Sequence, residues 1–200
     1  MTIGVTGPSG AGKSLFCSIL QSRGWLWLDC DEIYHSLTDT PSACTEELSR
    51  RCNFGKGILR PDGSLDRRAL AAKVFAPGAE KRLERLNKIT HKYVLDVVRA
   101  RRDAALKDDI PGVVIDAPLL FQAQFDRECD ATVALLAPYG DRLQRLMRRD
   151  GLSEDAIRAR LAAAPDDAYY TARATFTVIN NGDRAALEAE ADRITAPRAD

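Results

Sequence analysis

The sequence lacks an excess of either charge, and it lacks any long hydrophobic run. Lys and Arg together number 29 of the 200 residues, and so do Asp and Glu, so the formal net charge at neutral pH is zero. This balance removes any general attraction to nucleic acid or to an anionic membrane. No apolar stretch approaches the length of a membrane span, and the first residues are typical of a strand rather than of a signal peptide. We therefore expect neither nucleic acid nor a membrane as a partner.

The cysteines lack a pattern that would indicate cross-links or a metal. Their number is odd and none stand in C-x-x-C spacing: Cys17, Cys30, Cys44, Cys52 and Cys129. Disulfide frameworks and structural zinc sites both need paired spacings, so both are disfavoured. We expect reduced thiols in a cytoplasmic protein.

What the sequence does have is a glycine-rich loop near its start. The segment Gly7-Pro8-Ser9-Gly10-Ala11-Gly12-Lys13-Ser14 fits the pattern G-x-x-x-x-G-K-[ST], between a short apolar run and a helical pattern. In this context it predicts the phosphate-binding loop of a P-loop NTPase, with a plain connecting turn as the alternative. Backbone N–H groups of Gly7, Ser9, Gly10, Ala11 and Gly12 would face a polyphosphate. Lys13 would reach the β- and γ-phosphates, and the Ser14 hydroxyl would bind Mg²⁺.

Two later apolar runs end in carboxylates. Trp25-Leu26-Trp27-Leu28 is followed by Asp29-Cys30-Asp31, and Val113-Val114-Ile115 by Asp116. The carboxyl ends of parallel strands meet at the edge where an open α/β sheet binds ligands. We expect Asp31 to orient an attacking hydroxyl and accept its proton, and Asp29 to cap the next helix, although either could be the cap. Asp116 is expected to hold Mg²⁺ directly or through water.

The order of strand and helix patterns predicts an α/β fold with a doubly wound parallel sheet of the P-loop NTPase type. The nucleotide-binding core would comprise 1–37, 106–149 and 169–200, and 38–105 would be a helical insertion that binds the acceptor substrate. An arginine-rich helix at Tyr139–Arg149 leads into a polar helical segment, 150–168. Such a segment suits a lid whose arginines neutralise charge on a transferred phosphoryl group, although an exposed helix with paired charges fits as well.

Several different short motifs follow one another along nearly the whole chain. Besides the loop and Asp29-Cys30-Asp31-Glu32, they are Phe54-Gly55, Asp62-Gly63-Ser64-Leu65-Asp66-Arg67, Leu86-Asn87-Lys88-Ile89-Thr90-His91, Asp116-Ala117-Pro118-Leu119-Leu120-Phe121, Arg149-Asp150-Gly151-Leu152-Ser153 and Val178-Ile179-Asn180-Asn181-Gly182. This ordered set resembles the dephospho-coenzyme A kinase family. The loop alone is shared by many families.

The resemblance implies transfer of the ATP γ-phosphoryl group to the ribose 3′-hydroxyl of dephospho-coenzyme A, the last step of coenzyme A synthesis. The matching positions are Lys13 and Ser14 for phosphate and metal, Asp31 for the base, Arg149 for the lid arginine, Asn180 for the turn near the adenine and His91 for the acceptor domain. Arg67 is a second polar candidate for the acceptor. Without the resemblance, a lone histidine such as His91 is usually only a satisfied polar residue.

The chain departs from the family pattern at a few positions. Leu15 ends the phosphate-binding segment where threonine is usual, and Lys92, Gln122 and Thr175 replace a proline, a glutamate and an aspartate. None of these changes touches Lys13, Ser14, Asp31 or Arg149, so we expect an active enzyme.

Two rival functions stay open. Another small-molecule P-loop kinase, acting on a nucleoside, nucleotide or sugar acid, shares the loop chemistry, and only an acceptor assay separates the two. A GTP-binding switch would need an N-K-x-D motif, which Asn87-Lys88-Ile89-Thr90 does not supply.

Overall fold

The computed structural model describes residues 1–51 and 55–196. Cys52 and Phe54, named above as a thiol and as part of a motif, lie outside the described residues. The chain divides into two compact units. The first unit comprises Met1–Leu28 and Ala104–Asp200, and the second comprises Asp29–Asp103.

Within the described residues there are five strands and nine α-helices. The strands are β1 (Thr2–Thr6), β2 (Leu26–Asp29), β3 (Val113–Asp116), β4 (Ala131–Leu136) and β5 (Phe176–Ile179). The helices are α1 (Lys13–Ser22), α2 (Cys30–Thr38), α3 (Ala43–Arg51), α4 (Arg67–Val74), α5 (Glu80–Ala105), α6 (Tyr139–Asp150), α7 (Glu154–Ala162), α8 (Asp167–Thr171) and α9 (Arg184–Thr195). Two short 3₁₀ segments lie at Gly55–Ile58 and Phe125–Glu128.

The strands form one five-stranded sheet in the order β2-β3-β1-β4-β5. β1 pairs in parallel with both β3 and β4, and β4 pairs in parallel with β5. Every residue of β1, β3 and β4 is buried, as expected of strands covered on both faces, whereas the edge strand β5 is partly exposed. The predicted doubly wound parallel sheet is confirmed.

The core of the first unit lies between the sheet and its helices. Phe16, Ile19 and Leu20 of α1 follow helical spacing and are buried with Val5 of β1 and Ile194 of α9. α1 thus presents one apolar face to the core, and this contact fixes its first turn at the carboxyl end of β1. Among the described residues, no helix combines the length and the apolar character needed to cross a membrane.

The second unit is helical and has a core of its own. Leu48, Ile58, Leu65, Leu70 and Ile89 are buried together. Asp66 caps α4 by accepting hydrogen bonds from the backbone N–H groups of the helix's second and third residues. The longest element is α5, a continuous helix of 26 residues.

Candidate active site

The glycine-rich loop connects β1 to the first turn of α1. Gly7 and Gly12 have φ values of +139° and +98°, which side-chain-bearing residues rarely adopt. A Cβ at Gly7 would overlap the carbonyl oxygen of Leu135 in β4, and one at Gly12 would overlap the amide nitrogen of Asn180. Within the described chain, no side chain caps the first turn of α1, and no acidic residue lies in it. At Gly7 and Gly12 the loop backbone therefore approaches Leu135 and Asn180 too closely for a side chain to fit. The loop leads into a helix N-terminus that suits an anion.

The loop's carbonyl oxygens accept hydrogen bonds from its own lysine and from side chains of two distant elements. Lys13 Nζ donates to the Gly7 carbonyl oxygen at 3.0 Å. Asn180 Nδ2 donates to the Ala11 carbonyl oxygen at 2.8 Å, and Arg145 NH1 donates to the Gly10 carbonyl oxygen at 3.2 Å. Asn180 is only 4% exposed. Lys13 and Asn180, both predicted site residues, are thus brought to one loop.

Asp116 ends β3 beside the strand that leads into the loop. It pairs in register with Val5 of β1 and is 4% exposed. The following segment is fixed to β1, since Ala117 N donates to the Val5 carbonyl oxygen at 3.0 Å and Thr6 Oγ1 donates to the Pro118 carbonyl oxygen at 3.2 Å. A buried carboxylate therefore lies at the strand edge that also carries the phosphate loop.

Arg149 lies near the end of α6 and is held by its neighbour in the chain. Its Nε and NH2 groups donate to the two carboxylate oxygens of Asp150 at 2.6 and 3.1 Å. Arg160 of α7 donates to the same carboxylate at 2.8 Å. Hydrogen bonds from Arg149 hold the pKa of Asp150 below its ordinary value, so the carboxylate stays ionised. One carboxylate thus orients two arginines, and both guanidinium groups remain partly exposed.

In the second unit, Asp29 and Asp31 have different roles in the start of α2. Asp29 Oδ1 accepts hydrogen bonds from the backbone N–H groups of Asp31 and Glu32, at 2.8 and 3.0 Å. Asp29 is therefore the N-cap, as predicted. The Asp31 side chain lies exposed in the first helical turn.

Arg67 and His91 also belong to the second unit. Arg67 NH2 pairs with Asp39 at 2.6 Å and donates to Thr38 Oγ1 at 3.3 Å. His91 is half-buried in α5, and burial lowers the pKa of its imidazole. The ring is therefore mainly neutral at neutral pH.

Three residues in contact with these groups were not predicted from the sequence: Arg145, Asp150 and Arg160. The spacing of Arg142, Arg145 and Arg149 by three and four residues places them on one face of α6, and this was the available signal. It could not show that Arg145 binds loop carbonyl oxygens 134 and 135 residues away in the chain.

Comparison with known proteins defines the family. The sequence model of the family described as dephospho-CoA kinase matches residues 1–186. The chain belongs to the dephospho-CoA kinase family. It is 40% identical over 195 residues to the dephospho-CoA kinase of Anaeromyxobacter dehalogenans, covering 97% of this chain and 90% of that one. It is 36% identical over 197 residues to that of Corynebacterium glutamicum, covering 98% and 96%. The predicted family, kinase activity and place in the final step of coenzyme A synthesis are confirmed.

Solved structures agree on the fold. The crystal structure of TT1252 from Thermus thermophilus superposes with a TM-score of 0.79 at 30% identity, covering all (100%) of this chain and 98% of that one. The dephospho-CoA kinase from Campylobacter jejuni superposes with a TM-score of 0.59 at 24% identity, covering 96% and 94%. A shikimate kinase from Bacteroides thetaiotaomicron reaches 0.57 at 15% identity, covering 97% and 96%, and at this identity the likeness concerns the fold alone. The P-loop NTPase type of the sheet is confirmed.

Proposed function

We propose that the chain transfers the γ-phosphoryl group of ATP to the 3′-hydroxyl of the ribose of dephospho-coenzyme A. The observation that carries this proposal is the phosphate loop, closely packed at Gly7 and Gly12 and followed by Lys13, in a chain of the dephospho-CoA kinase family. Phosphoryl transfer passes through a loose transition state whose charge spreads over the phosphate oxygens. Catalysis then depends on positioning and on positive groups, which is what a phosphate loop provides.

The triphosphate of ATP would bind along the loop from Gly7 to Leu15. Gly7, Ser9, Gly10, Ala11 and Gly12 would supply backbone N–H groups, and the amine of Lys13 would contact the β- and γ-phosphates. Leu15 has no hydroxyl to offer the α-phosphate, so contact there would come from its backbone. The half-buried Leu15 side chain packs against the sheet core instead.

A magnesium ion bound with ATP fits the residues present. Ser14 carries a hydroxyl in the first turn of α1, and Asp116 is a buried carboxylate at the end of the strand beside β1. Hydroxyl and carboxylate oxygens suit Mg²⁺, which usually takes its remaining protein-site ligands from substrate phosphates and water. We infer that Ser14 and Asp116 would hold this ion. When bound, it would neutralise charge on the phosphate oxygens.

Asp31 is proposed to align the acceptor hydroxyl and to accept its proton. Asp29 supplies the cap of α2, so the Asp31 carboxylate is not needed for that purpose. Its exposed position in the first helical turn suits contact with a substrate. We place the acceptor in 38–105, with Arg67 and His91 as further contacts.

Arg149 is proposed to neutralise the charge that develops on the transferred phosphoryl group. Its guanidinium is oriented by Asp150, and its side chain is 60% exposed, so one side can meet a substrate anion. The segment 150–168 would act as a lid. α7 in this segment is anchored to α6 through the buried side chains of Leu143, Leu146, Ile157 and Leu161.

We place the enzyme in the cytoplasm, acting on small molecules without a nucleic acid or membrane partner. The odd number of cysteines, without paired spacing, supports a reducing compartment. The zero net charge supports small-molecule substrates over nucleic acid.

The test is ADP formation from Mg²⁺-ATP with a panel of acceptors. The panel comprises dephospho-coenzyme A, nucleoside monophosphates, nucleosides and shikimate, and Lys13→Ala is the control for contaminating kinases. We expect turnover with dephospho-coenzyme A alone and almost none in Lys13→Ala. Turnover only with another acceptor would contradict the proposal and would remove the acceptor roles of Arg67 and His91.

A further inference from the structure

The carbonyl oxygens on the outside of the phosphate loop need hydrogen-bond donors. When consecutive N–H groups of a loop turn toward an anion, the intervening carbonyl groups turn away from it. At Gly10 and Ala11 these carbonyl oxygens meet donors from two distant elements, Arg145 of α6 and Asn180 at the end of β5. The curvature of the loop is thus tied to the two elements that pack against it.

Asn180 is oriented for this contact by its own backbone. Its N–H donates to the Leu136 carbonyl oxygen at 2.7 Å, which extends the β4–β5 ladder, and its Oδ1 accepts from Gly182 N at 3.1 Å. With Oδ1 occupied by the turn, the buried Nδ2 group donates to Ala11 at 2.8 Å. The side chain lies so close that a Cβ at Gly12 would overlap it. A side chain held at both ends has little freedom to take another partner.

Arg145 supplies the second contact and a positive charge. Its NH1 group lies 3.2 Å from the Gly10 carbonyl oxygen and 3.5 Å from that of Ala11. Its NH2 group would lie 4.0 Å from a Cβ at Gly182, so the guanidinium lies beside the turn that orients Asn180. Hydrogen bonds from a charged donor are stronger than neutral ones, particularly when half-buried.

We propose that Arg145 and Asn180 are positioning residues, which hold the outward carbonyl groups of the phosphate loop so that its N–H groups face the nucleotide phosphates. This differs from direct binding of ATP by Asn180, in the turn near the adenine, which is what the family resemblance implied. The proposal rests on the proposed function only in that the loop binds a polyphosphate. The identity of the acceptor does not enter it.

The experiment compares binding of ATP and of inorganic tripolyphosphate, both with Mg²⁺, by titration calorimetry. Asn180→Asp retains the acceptor for Gly182 N–H but replaces the donor facing Ala11 with an oxygen. Arg145→Met retains much of the aliphatic stem and removes the donors. Arg148→Met is the matched control, because Arg148 lies on the same helix, is exposed and contacts only Gln144, at 3.5 Å, among the interactions found in the described chain.

We expect both variants to bind ATP and tripolyphosphate roughly tenfold more weakly, by the same factor for each ligand, and Arg148→Met to bind as the unmodified chain does. A loss confined to ATP would overturn the proposal for Asn180 in favour of an adenine contact, since tripolyphosphate has no base. Unchanged binding of both ligands would overturn it for either residue. Arg145→Met is measured on its own, so the outcome does not depend on whether Asn180→Asp folds.

Kinetics add a second readout that general destabilisation would not produce. With saturating acceptor, the variants should show a raised KM for ATP and a lowered kcat, and the KM for the acceptor should not change. Arg145→Lys should recover part of the loss, because an ammonium group on a long stem can still donate to one carbonyl oxygen. A rise in the acceptor KM as large as that in the ATP KM would contradict a role confined to the loop.

Discussion

Substitution of Gly12 by alanine tests the geometry of the phosphate loop most sharply. The residue has a φ of +98°, and a non-glycine residue in the left-handed region costs about 1–2 kcal/mol. The new Cβ would also overlap Asn180 Nδ2 and displace it from the Ala11 carbonyl oxygen. Loss of that hydrogen bond costs about 1 kcal/mol more. We therefore expect Gly12→Ala to lower the free energy of unfolding by about 2–3 kcal/mol and to reduce turnover strongly.

The other end of α1 provides the matched control. Gly24 follows the helix with a φ of +86°, but a Cβ there would make only ordinary contact, at 3.6 Å, with the Pro111 ring. Gly24→Ala should therefore show the backbone cost alone, about 1–2 kcal/mol, with turnover unchanged. Stability is measured by urea unfolding, followed by the fluorescence of Trp25 and Trp27, the only two tryptophans, both in the first unit. If Gly12→Ala were as stable as Gly24→Ala and as active as the unmodified chain, the loop contacts described here would be wrong.

Three further predictions concern the second unit. Asp31→Asn should abolish most turnover and leave ATP affinity nearly unchanged, and a kcat within about threefold of the unmodified value would remove its assigned role. Burial lowers the pKa of His91 in the folded state. The contribution of the neutral ring to the free energy of unfolding should therefore be fully present above the unfolded-state pKa near 6.5 and should fall as the pH drops below it. His91→Asn should flatten that fall in urea unfolding followed by circular dichroism, and an unchanged pH profile would count against the burial effect. Burial raises the pKa of the Cys44 thiol to about 11, so iodoacetamide should modify it only after unfolding, as read by peptide mass spectrometry. Rapid modification in the native state would contradict that assignment.

The sheet was predictable because its strands are apolar runs with polar ends. The run Val113-Val114-Ile115 with its terminal Asp116 coincides with β3, since a buried parallel strand is uniformly apolar and this one ends in a carboxylate. The second strand begins one residue later than predicted, at Leu26, because Trp25 N bonds to the Leu20 carbonyl oxygen as part of the turn after α1.

Local chemistry also predicted individual helix ends. Asp29 and Asp66 cap α2 and α4 through neighbouring N–H groups, a short-range pattern visible in the sequence. Ser64 also carries a hydroxyl of the kind that caps helices, but it donates this hydroxyl to Asp62 at 2.6 Å. Ser64 and Asp66 are both suited by residue type to cap α4, and only the three-dimensional path of the turn before the helix decides which of them does.

The contacts that shape the phosphate loop were not predictable. Arg145 and Asn180 bind carbonyl oxygens of residues more than a hundred positions away, and a carbonyl group carries no signal in the sequence. Thr175 illustrates the same limit. Its hydroxyl accepts from Thr132 N at 3.1 Å, and its own N–H donates to Thr132 Oγ1 at 2.9 Å, so Thr175 joins β4 to the segment that leads into β5.

The most direct test of the account is the identity of the reaction product. The enzyme is incubated with dephospho-coenzyme A and ATP labelled in the γ-phosphoryl group, and the product is analysed by mass spectrometry and phosphorus NMR. The account predicts coenzyme A, with the label in a monoester on the ribose 3′-hydroxyl, and the loss of this product in Asp31→Asn. Label on another hydroxyl, or label released only as inorganic phosphate, would contradict it.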